Sequence, residues 1–305
     1  MRNFPTVLEN ISDLNFDQLQ SLILLSKKFK NGDIPLGHIE MSTGESPIIA
    51  TSFLETSTRT KHSFAIAIKR LGAMYIDFNA EASSLKKGES LEETLLTLSH
   101  QGVGMCIIRT SVSHQLAEFK ANPPLKIING GDGVNEHPTQ ALLDLFTILE
   151  CKHGPKNKTI AIIGDCIHSR VGHSLCSLLP QFGMKVILCG PEEFLPKNIP
   201  NNIEVTNKLE EAILKSDILY LLRIQKERHQ SKSLPSDEEY HQQYGINLEK
   251  LKRFSKLLPI YHPGPANIGV EISMEALKSP YYFGYEQVKN SIFMRMAIIK
   301  SMFHS

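Results

Sequence analysis

The sequence predicts an α/β protein with two doubly wound parallel-sheet domains joined by a bridging helix. Short apolar runs rich in β-branched residues alternate with segments of helical periodicity along most of the chain. The alternation occurs in both halves of the chain, which predicts a parallel sheet with helices on both faces in each half. The chain has 305 residues, a length that favours two hydrophobic cores over one.

The first half contains the first predicted sheet. An amphipathic helix over 11–30, opened by Ser12 or Asp13, comes before it. The run PIIATSFL at 47–54 is typical of a buried strand, and the helix predicted at 61–71 follows it with apolar residues four and three positions apart. Further strands are predicted at 73–78, 103–109 and 125–129, and further helices at 89–101 and 112–120.

The second half repeats this pattern after a bridging helix at 137–152, where Pro138 suits a first helical turn. Strands are predicted at 158–164, 185–190, 217–223 and 257–262, and helices at 171–182 and near 208–215. A terminal helix over roughly 286–303 has an apolar face but no strand beside it. The predicted organisation is a first domain (1–136) onto which 286–305 docks back, the bridging helix (137–152) and a second domain (153–285).

Composition and charge exclude several classes of protein. Lys and Arg total 33 against 32 Asp and Glu, whereas a nucleic-acid-binding face usually produces a basic excess. No apolar run approaches the roughly 20 residues that span a bilayer, and the first residues lack the apolar stretch of a secretory signal. We therefore expect a cytoplasmic protein with no nucleic-acid or membrane partner. Five unpaired cysteines (Cys106, Cys151, Cys166, Cys176 and Cys189) predict reduced thiols, and no cysteine–histidine spacing suggests a metal site.

The segment STRT at 57–60 predicts an anion site. It forms the turn from the first predicted strand into a helix, where the first backbone N–H groups have no partner within the helix. The helix dipole makes this end partly positive, and hydroxyl groups and an arginine there suit a phosphate. The alternative is that Ser57 or Thr58 serves only as the helix N-cap.

Polar residues also follow the other predicted strands, where ligands of parallel α/β sheets bind. They are Arg109, His137 and Gln140 in the first half, and Asp165, His168, Arg170, Arg223, Gln225 and 262–265 in the second. One arginine there is more often solvated or ion-paired, but three favour a site that holds several anions. Glycine motifs for dinucleotides or the P-loop are absent, as are a carboxylate pair and a Ser–His–Asp order.

Six short motifs in this order resemble the catalytic chains of the aspartate carbamoyltransferase family, and the match covers nearly the whole chain. They are STRT (57–60), SSLKKGE (83–89), HPTQ (137–140), HSRV (168–171), LLRIQKERH (221–229) and HPGP (262–265). The resemblance implies transfer of the carbamoyl group of carbamoyl phosphate to the amine of L-aspartate. The products would be N-carbamoyl-L-aspartate and phosphate, an early step of pyrimidine biosynthesis.

The resemblance also implies a role for each matching residue. Ser57, Thr58, Arg59 and Thr60 would hold the phosphate, while Thr60, Arg109 and His137 point at the carbonyl oxygen and Gln140 at the carbamoyl amide. Gly264 and Pro265 would offer backbone to the carbamoyl amine, and Ser83 and Lys87 would come from a neighbouring subunit. Arg170, Arg223 and Gln225, together with Lys87, would bind aspartate. Arg59, Thr60, Lys87, Arg109 and His137 would be catalytic.

The same resemblance implies a homotrimer with shared active sites that needs no metal or organic cofactor. It leaves open whether regulatory chains or a dihydroorotase associate with it. Two residues depart from the family's common pattern, since Lys61 and Ala65 stand where arginine and glutamate are usual. Both lie beyond the four phosphate contacts, so we expect structural adjustment rather than lost catalysis.

Three other functions compete with this interpretation. An ornithine-specific relative would typically carry HCLP where this chain has HPGP, and its cationic acceptor does not suit Arg170 and Arg223. An inactive transcarbamoylase-like scaffold would be expected to have lost some anion ligands, yet all are present. A nicotinamide-dependent oxidoreductase is disfavoured because no glycine fingerprint follows a strand.

Overall fold

The protein divides into two units along the chain. In the computed structural model, residues 3–37, 45–78, 88–150, 157–224 and 235–304 are described. Unit 1 comprises Met1–Phe146 and Val288–Ser305, and unit 2 comprises Thr147–Gln287. Within the described ranges, no helix is long and apolar enough to cross a membrane.

Unit 1 is built on a parallel sheet of five strands within the described residues, in the order β1-β5-β4-β2-β3. The strands are β1 (Val7–Leu8), β2 (Ile48–Phe53), β3 (Met74–Phe78), β4 (Val103–Thr110) and β5 (Lys126–Asp132). The helices are α1 (Phe16–Asn31), α2 (Thr58–Arg70), α3 (Leu91–His100) and α4 (Pro138–Leu149). Apolar side chains of β2, β4 and β5 pack with those of α3 into a buried core.

Unit 2 has a second parallel sheet, again of five strands within the described part of the chain, in the order β10-β9-β6-β7-β8. The strands are β6 (Thr159–Ile163), β7 (Lys185–Cys189), β8 (Ile203–Thr206), β9 (Ile218–Leu221) and β10 (Ile260–Tyr261). The helices are α5 (Arg170–Leu178), α6 (Leu209–Lys215), α7 (Asp237–Gln243), α8 (Leu248–Arg253) and α9 (Met274–Leu277). They cover a separate core.

Two helices contain the boundaries between the units. The boundary at Phe146 and Thr147 falls inside α4, and the one at Gln287 and Val288 falls inside α10 (Gly284–Phe303). The part of α10 in unit 1 lies against α1, where Lys30 Nζ donates to Asn290 Oδ1 at 2.9 Å and Ser26 Oγ lies 3.5 Å from Met294 Sδ.

The predicted fold class is confirmed by the two parallel sheets with flanking helices. The predicted start of the first helix is wrong, because α1 begins at Phe16 and its cap is Asn15, whose side chain accepts from Gln18 N at 2.9 Å. Ser12 and Asp13 instead lie in a preceding 3-10 turn.

The helix predicted at 112–120 is also wrong. Only a 3-10 turn at Ala117–Phe119 forms there. Thr110 Oγ1 accepts from Val112 N at 2.9 Å and donates to Val112 O at 2.7 Å, and His114 has a positive φ of 62°. This local hydroxyl–backbone bonding replaces the first turn of a helix. The short strands β1 and β8 were not predicted.

Candidate active site

The first candidate region is the start of α2 in unit 1. Strand β2 ends at Phe53 and α2 begins at Thr58, so STRT does form a strand-to-helix turn. Ser57 occupies the N-cap position but its side chain makes no capping hydrogen bond among the described residues. The cap-only alternative therefore does not fit Ser57. Thr58 and Arg59 are exposed at the positive end of a helix of 13 residues, an arrangement that attracts anions.

Arg109 lies beside this turn because β4 and β2 are neighbours in the sheet. Its backbone is in register with Phe53, the last residue of β2. Its Nη1 donates to Gly130 O at 3.2 Å, and its Nε lies 3.2 Å from Glu55 Oε2. The side chain is only 12% exposed. A backbone carbonyl and a carboxylate thus hold the guanidinium at the strand ends.

His137 and Gln140 are placed by the start of α4. His137 is buried, with Nε2 3.4 Å from Thr60 Oγ1 and Nδ1 3.4 Å from Thr139 Oγ1. The structure therefore brings together two residues of the predicted site that are 77 positions apart. Gln140 is also buried, and its Nε2 donates to Asp144 Oδ1 at 2.9 Å.

In unit 2, the loop after β6 contains a buried carboxylate. Asp165 is fully buried and accepts from His168 twice, at 2.9 Å from the ring Nδ1 and 3.2 Å from the backbone N. Arg170 is the first residue of α5 and is itself buried. Ser169 caps this helix by accepting from Gly172 N at 3.0 Å. Arg170 and the start of α5 therefore lie together in the segment that follows β6.

Arg223 follows β9, the strand next to β6, and is half-buried. Its neighbour Ile224 donates its backbone N–H to Glu271 Oε1 at 3.0 Å. Glu271 is 2% exposed and also accepts from Asn267 N at 2.8 Å and Asn267 Nδ2 at 3.0 Å. Burial raises the pKa of Glu271 to about 7, while these backbone hydrogen bonds and the charge of Arg223 act in the opposite direction.

Gly264 and Pro265 follow β10, which pairs with β9. Gly264 has a φ of 66° and is joined to Pro265 by a cis peptide bond. Its backbone N–H donates to His262 Nδ1 at 2.8 Å, and His262 is buried. Residues after three adjacent strands of this sheet therefore share its carboxyl-terminal edge, as in other parallel sheets that bind ligands there.

Three of the predicted site residues, Ser83, Lys87 and Gln225, lie outside the described residues, as does Cys151. The other four cysteines are free thiols. Burial raises the pKa of both Cys106 and Cys176 to about 12, so neither thiol suits a nucleophile. Among the described residues, no group of three or more His, Cys, Asp or Glu side chains is arranged to hold a metal ion.

Glu55, Asp144 and Glu271 are buried or half-buried acids that sequence reasoning missed. Each contacts a predicted site residue or its neighbour in the chain. Asp144 carried a local signal, because it lies one helical turn after Gln140. Glu55 stands two residues before Ser57, but its partner Arg109 is far away in the chain. Glu271 carried no local signal at all.

Both halves of the chain match models of known protein families. Residues 7–150 match the family model "Aspartate/ornithine carbamoyltransferase, carbamoyl-P binding domain". Residues 156–302 match the companion model "Aspartate/ornithine carbamoyltransferase, Asp/Orn binding domain". The chain belongs to the aspartate/ornithine carbamoyltransferase family. The first family domain ends just after α4, whereas the second includes most of α10, a helix that belongs to unit 1 from Val288 onward.

Individual members of the aspartate/ornithine carbamoyltransferase family are similar over almost their whole length. The aspartate carbamoyltransferase catalytic subunit of Streptococcus pneumoniae is 37% identical over 298 residues, covering 97% of this chain and 95% of the relative. The catalytic subunit of M. jannaschii aspartate transcarbamoylase superposes with a TM-score of 0.84 at 32% identity, covering 98% of both chains. The Trypanosoma cruzi aspartate transcarbamoylase in complex with N-(phosphonacetyl)-L-aspartic acid gives 0.83 at 30% identity, covering 98% of this chain and 96% of that chain.

Proposed function

We propose that this chain is an aspartate carbamoyltransferase, which transfers the carbamoyl group of carbamoyl phosphate to the amine of L-aspartate. The observation that carries the proposal is the set of anion-binding groups in unit 1. Strand β2, which leads into α2, pairs with the strand that carries Arg109, and Thr60 in the first turn of α2 contacts His137. All of these residues lie in the range that matches the carbamoyl-phosphate-binding family model. The relatives named above are aspartate carbamoyltransferases.

In the proposed reaction, unit 1 binds and activates carbamoyl phosphate. The amine of aspartate attacks the carbonyl carbon, so a C–N bond forms and the carbonyl oxygen gains negative charge. Thr60, Arg109 and His137 are the donors proposed to stabilise that oxygen, and preorganised donors are most effective in a site that excludes water. The bond between the carbonyl carbon and the bridging oxygen then breaks, phosphate leaves with the electron pair of that bond, and the amine proton passes to the departing phosphate. Ser57, Thr58, Arg59 and the α2 amides stabilise the leaving phosphate.

Unit 2 supplies the proposed aspartate site. Arg170 and Arg223 follow adjacent strands, and guanidinium forks match the two carboxylates of aspartate better than ammonium groups do. Gln225 is proposed as a further aspartate ligand, and Gly264 and Pro265 as backbone contacts to the carbamoyl amine. Ornithine, with a cationic side chain, would place like charges against these arginines, which is unfavourable.

The test is a steady-state assay of phosphate release from carbamoyl phosphate with aspartate or ornithine as the acceptor. We expect turnover with aspartate and none above background with ornithine. A bisubstrate compound that joins a phosphonate to aspartate should bind much more tightly than either substrate, because it loses association entropy only once. Turnover with ornithine alone would contradict the aspartate assignment, and no turnover with either amine would favour an inactive scaffold.

We further propose a cytoplasmic homotrimer in which Ser83 and Lys87 complete the site of a neighbouring subunit. The buried free thiols of the described part of the chain support a reducing compartment. For the trimer, the inactive variants Arg59→Ala and Lys87→Ala can be dissociated, mixed and reassociated. A mixed ring pairs an intact Arg59 with an intact Lys87 at one interface only, so about one native site in three should return. No recovery after verified mixing excludes a shared site.

A further inference from the structure

The C-terminal helix α10 carries an arginine that is buried inside unit 1. The Arg295 side chain is 2% exposed, and its guanidinium carbon lies 4.8 Å from the centroid of the Phe64 ring. Burial lowers the pKa of Arg295 to about 9, and the charge of Asp144 acts in the opposite direction. Apolar residues of similar volume often replace buried charges without loss of stability. Packing alone therefore does not account for this arginine.

One connection from Arg295 leads to the start of α2. Its Nη1 donates to Ser63 Oγ, and Ser63 Oγ in turn donates to Thr60 O at 2.9 Å. Both Ser63 and Thr60 are buried. The guanidinium thus fixes the backbone of the residue whose hydroxyl lies beside His137.

The second interaction of Arg295 is electrostatic, with the charge of Asp144, and Asp144 in turn contacts Gln140. Asp144 is fully buried and accepts a hydrogen bond from Gln140 Nε2 at 2.9 Å. In this hydrogen bond a carboxylate oxygen is the acceptor, so Asp144 pairs with the nitrogen end of the amide rather than the oxygen end. The orientation of an amide is set by such partners. Asp144 therefore leaves the carbonyl oxygen of Gln140 as the end that can meet a substrate.

We propose that Asp144 and Arg295 are positioning residues that make Gln140 an acceptor for the amino group of carbamoyl phosphate. The opposite charges of Arg295 and Asp144 interact favourably, and Asp144 keeps the Gln140 oxygen toward the ligand. The site thereby distinguishes a carbamoyl group, which has N–H donors, from an acetyl group of similar shape, which has none. This inference rests on the proposed function, because it takes carbamoyl phosphate as the ligand at Gln140.

The experiment compares the binding of carbamoyl phosphate and acetyl phosphate to the full-length protein by calorimetry. Asp144→Asn keeps the side-chain shape but offers an N–H₂ group that can pair with the Gln140 oxygen. Gln140 can then turn its own N–H₂ group toward the substrate. We expect the preference for carbamoyl over acetyl phosphate to fall about tenfold, the loss expected from one misdirected buried hydrogen bond. The acetyl phosphate affinity and the KM for aspartate should be unchanged.

Further variants separate positioning from a general effect on the fold. Arg295→Lys keeps a positive charge near Asp144 and should retain the preference, whereas Arg295→Met should lose it. Ser26→Ala is the matched control. Ser26 Oγ donates to Leu22 O at 2.7 Å within α1 and contacts Met294, the neighbour of Arg295 in α10, without reaching the site. It should change neither affinity. If Arg295→Met does not fold, the Asp144→Asn result decides.

An unchanged preference in Asp144→Asn, or an equal loss for both phosphates, overturns the positioning role. A loss of preference in Ser26→Ala equal to that in Asp144→Asn also overturns it, because the effect would then belong to the core as a whole. Assaying the unmodified protein for carbamoyl transfer separates a failure of the proposed function from a failure of the positioning role. Absence of carbamoyl transfer to aspartate removes the proposed function itself, whereas an active enzyme whose Asp144→Asn variant keeps the preference removes only this inference.

Discussion

The two units place basic residues at the ends of their parallel strands but support them differently. In unit 1, the proposed ligands are hydroxyl groups, backbone N–H groups of α2, a buried histidine and two arginines, and the half-buried Glu55 pairs directly with the guanidinium of Arg109. In unit 2, the proposed ligands are arginines, and buried acids bind the loops that carry them. Asp165 holds the loop before Arg170, and Glu271 holds the residue after Arg223.

This difference follows from the shapes of the two proposed substrates. A phosphate is tetrahedral and is matched by several N–H and O–H donors that converge on a helix end. A carboxylate is planar and is matched by the fork of a guanidinium. Arginines carry full charges, so their loops gain from nearby acids that prevent like-charge repulsion. Mutations in the two units should therefore differ in what they damage.

The largest effect is expected from Arg59→Ala, which removes a charge from the phosphate side in unit 1. Turnover should fall by about 10²–10³, the usual loss for one transition-state donor. Steady-state kinetics and thermal unfolding measure activity and fold separately. Lys69→Ala, which changes an exposed residue in the last turn of the same helix, is the control and should keep full activity. Retention of more than about a tenth of the rate in Arg59→Ala contradicts the role.

Glu271→Gln tests the buried acid of unit 2. Burial raises the pKa of Glu271 from 4.5 to about 7, so the folded chain keeps its proton where the unfolded chain has released it. The protonated side chain therefore contributes to the free energy of unfolding relative to its charged form. This contribution is fully present below pH 4.5 and is lost as the pH rises through about 7. Relative to Glu271→Gln, the free energy of unfolding of the unmodified protein should fall by up to about 3 kcal/mol over this range.

Urea unfolding at several pH values measures this difference. Arg223→Ala sharpens the test, because the charge of Arg223 lowers the pKa of Glu271. Its loss should move the pH-dependent step of stability to higher pH. Parallel pH curves for the unmodified protein and Glu271→Gln would show that Glu271 has the same pKa in the folded and unfolded chains.

Arg223→Ala should also weaken the binding of aspartate far more than the binding of carbamoyl phosphate. Loss of a hydrogen bond to a charged group predicts about a tenfold to hundredfold rise in the KM for aspartate, with the KM for carbamoyl phosphate within about twofold. Arg253→Ala, which removes an exposed arginine paired with Glu249 in the same unit, is the control and should change neither KM. An equal loss for both substrates would assign Arg223 to the fold rather than to aspartate.

The smallest effect is expected from Lys61→Ala, which changes a residue that departs from the family pattern. Lys61 Nζ lies 2.7 Å from Asp77 Oδ1, and the two side chains are 30% and 44% exposed. Such an exposed pair contributes less than about 1 kcal/mol, so stability should change little and turnover not at all. A large drop in turnover would mean that the anion site of unit 1 extends one residue beyond Thr60.

Local patterns were sufficient for most of the fold but failed where side chains compete with the backbone. The strands over 103–109 and 158–164 were predictable because their apolar runs are continuous. The helix expected at 112–120 does not form, since the hydroxyl of Thr110 bonds the backbone of Val112 instead. The strand β1 was missed because it has only two residues, which form a strand only by pairing with β5.

The sequence by itself determined which polar residue types follow each strand, because strand ends and strand-to-helix turns are local features of hydrophobic periodicity. Only the tertiary structure decided which of those residues have buried partners. Thr60 and His137 are 77 positions apart, and Ser63 and Arg295 are 232 positions apart. A hydrogen bond between such positions depends on the packing of separate helices and strands, and no local pattern along the chain specifies it.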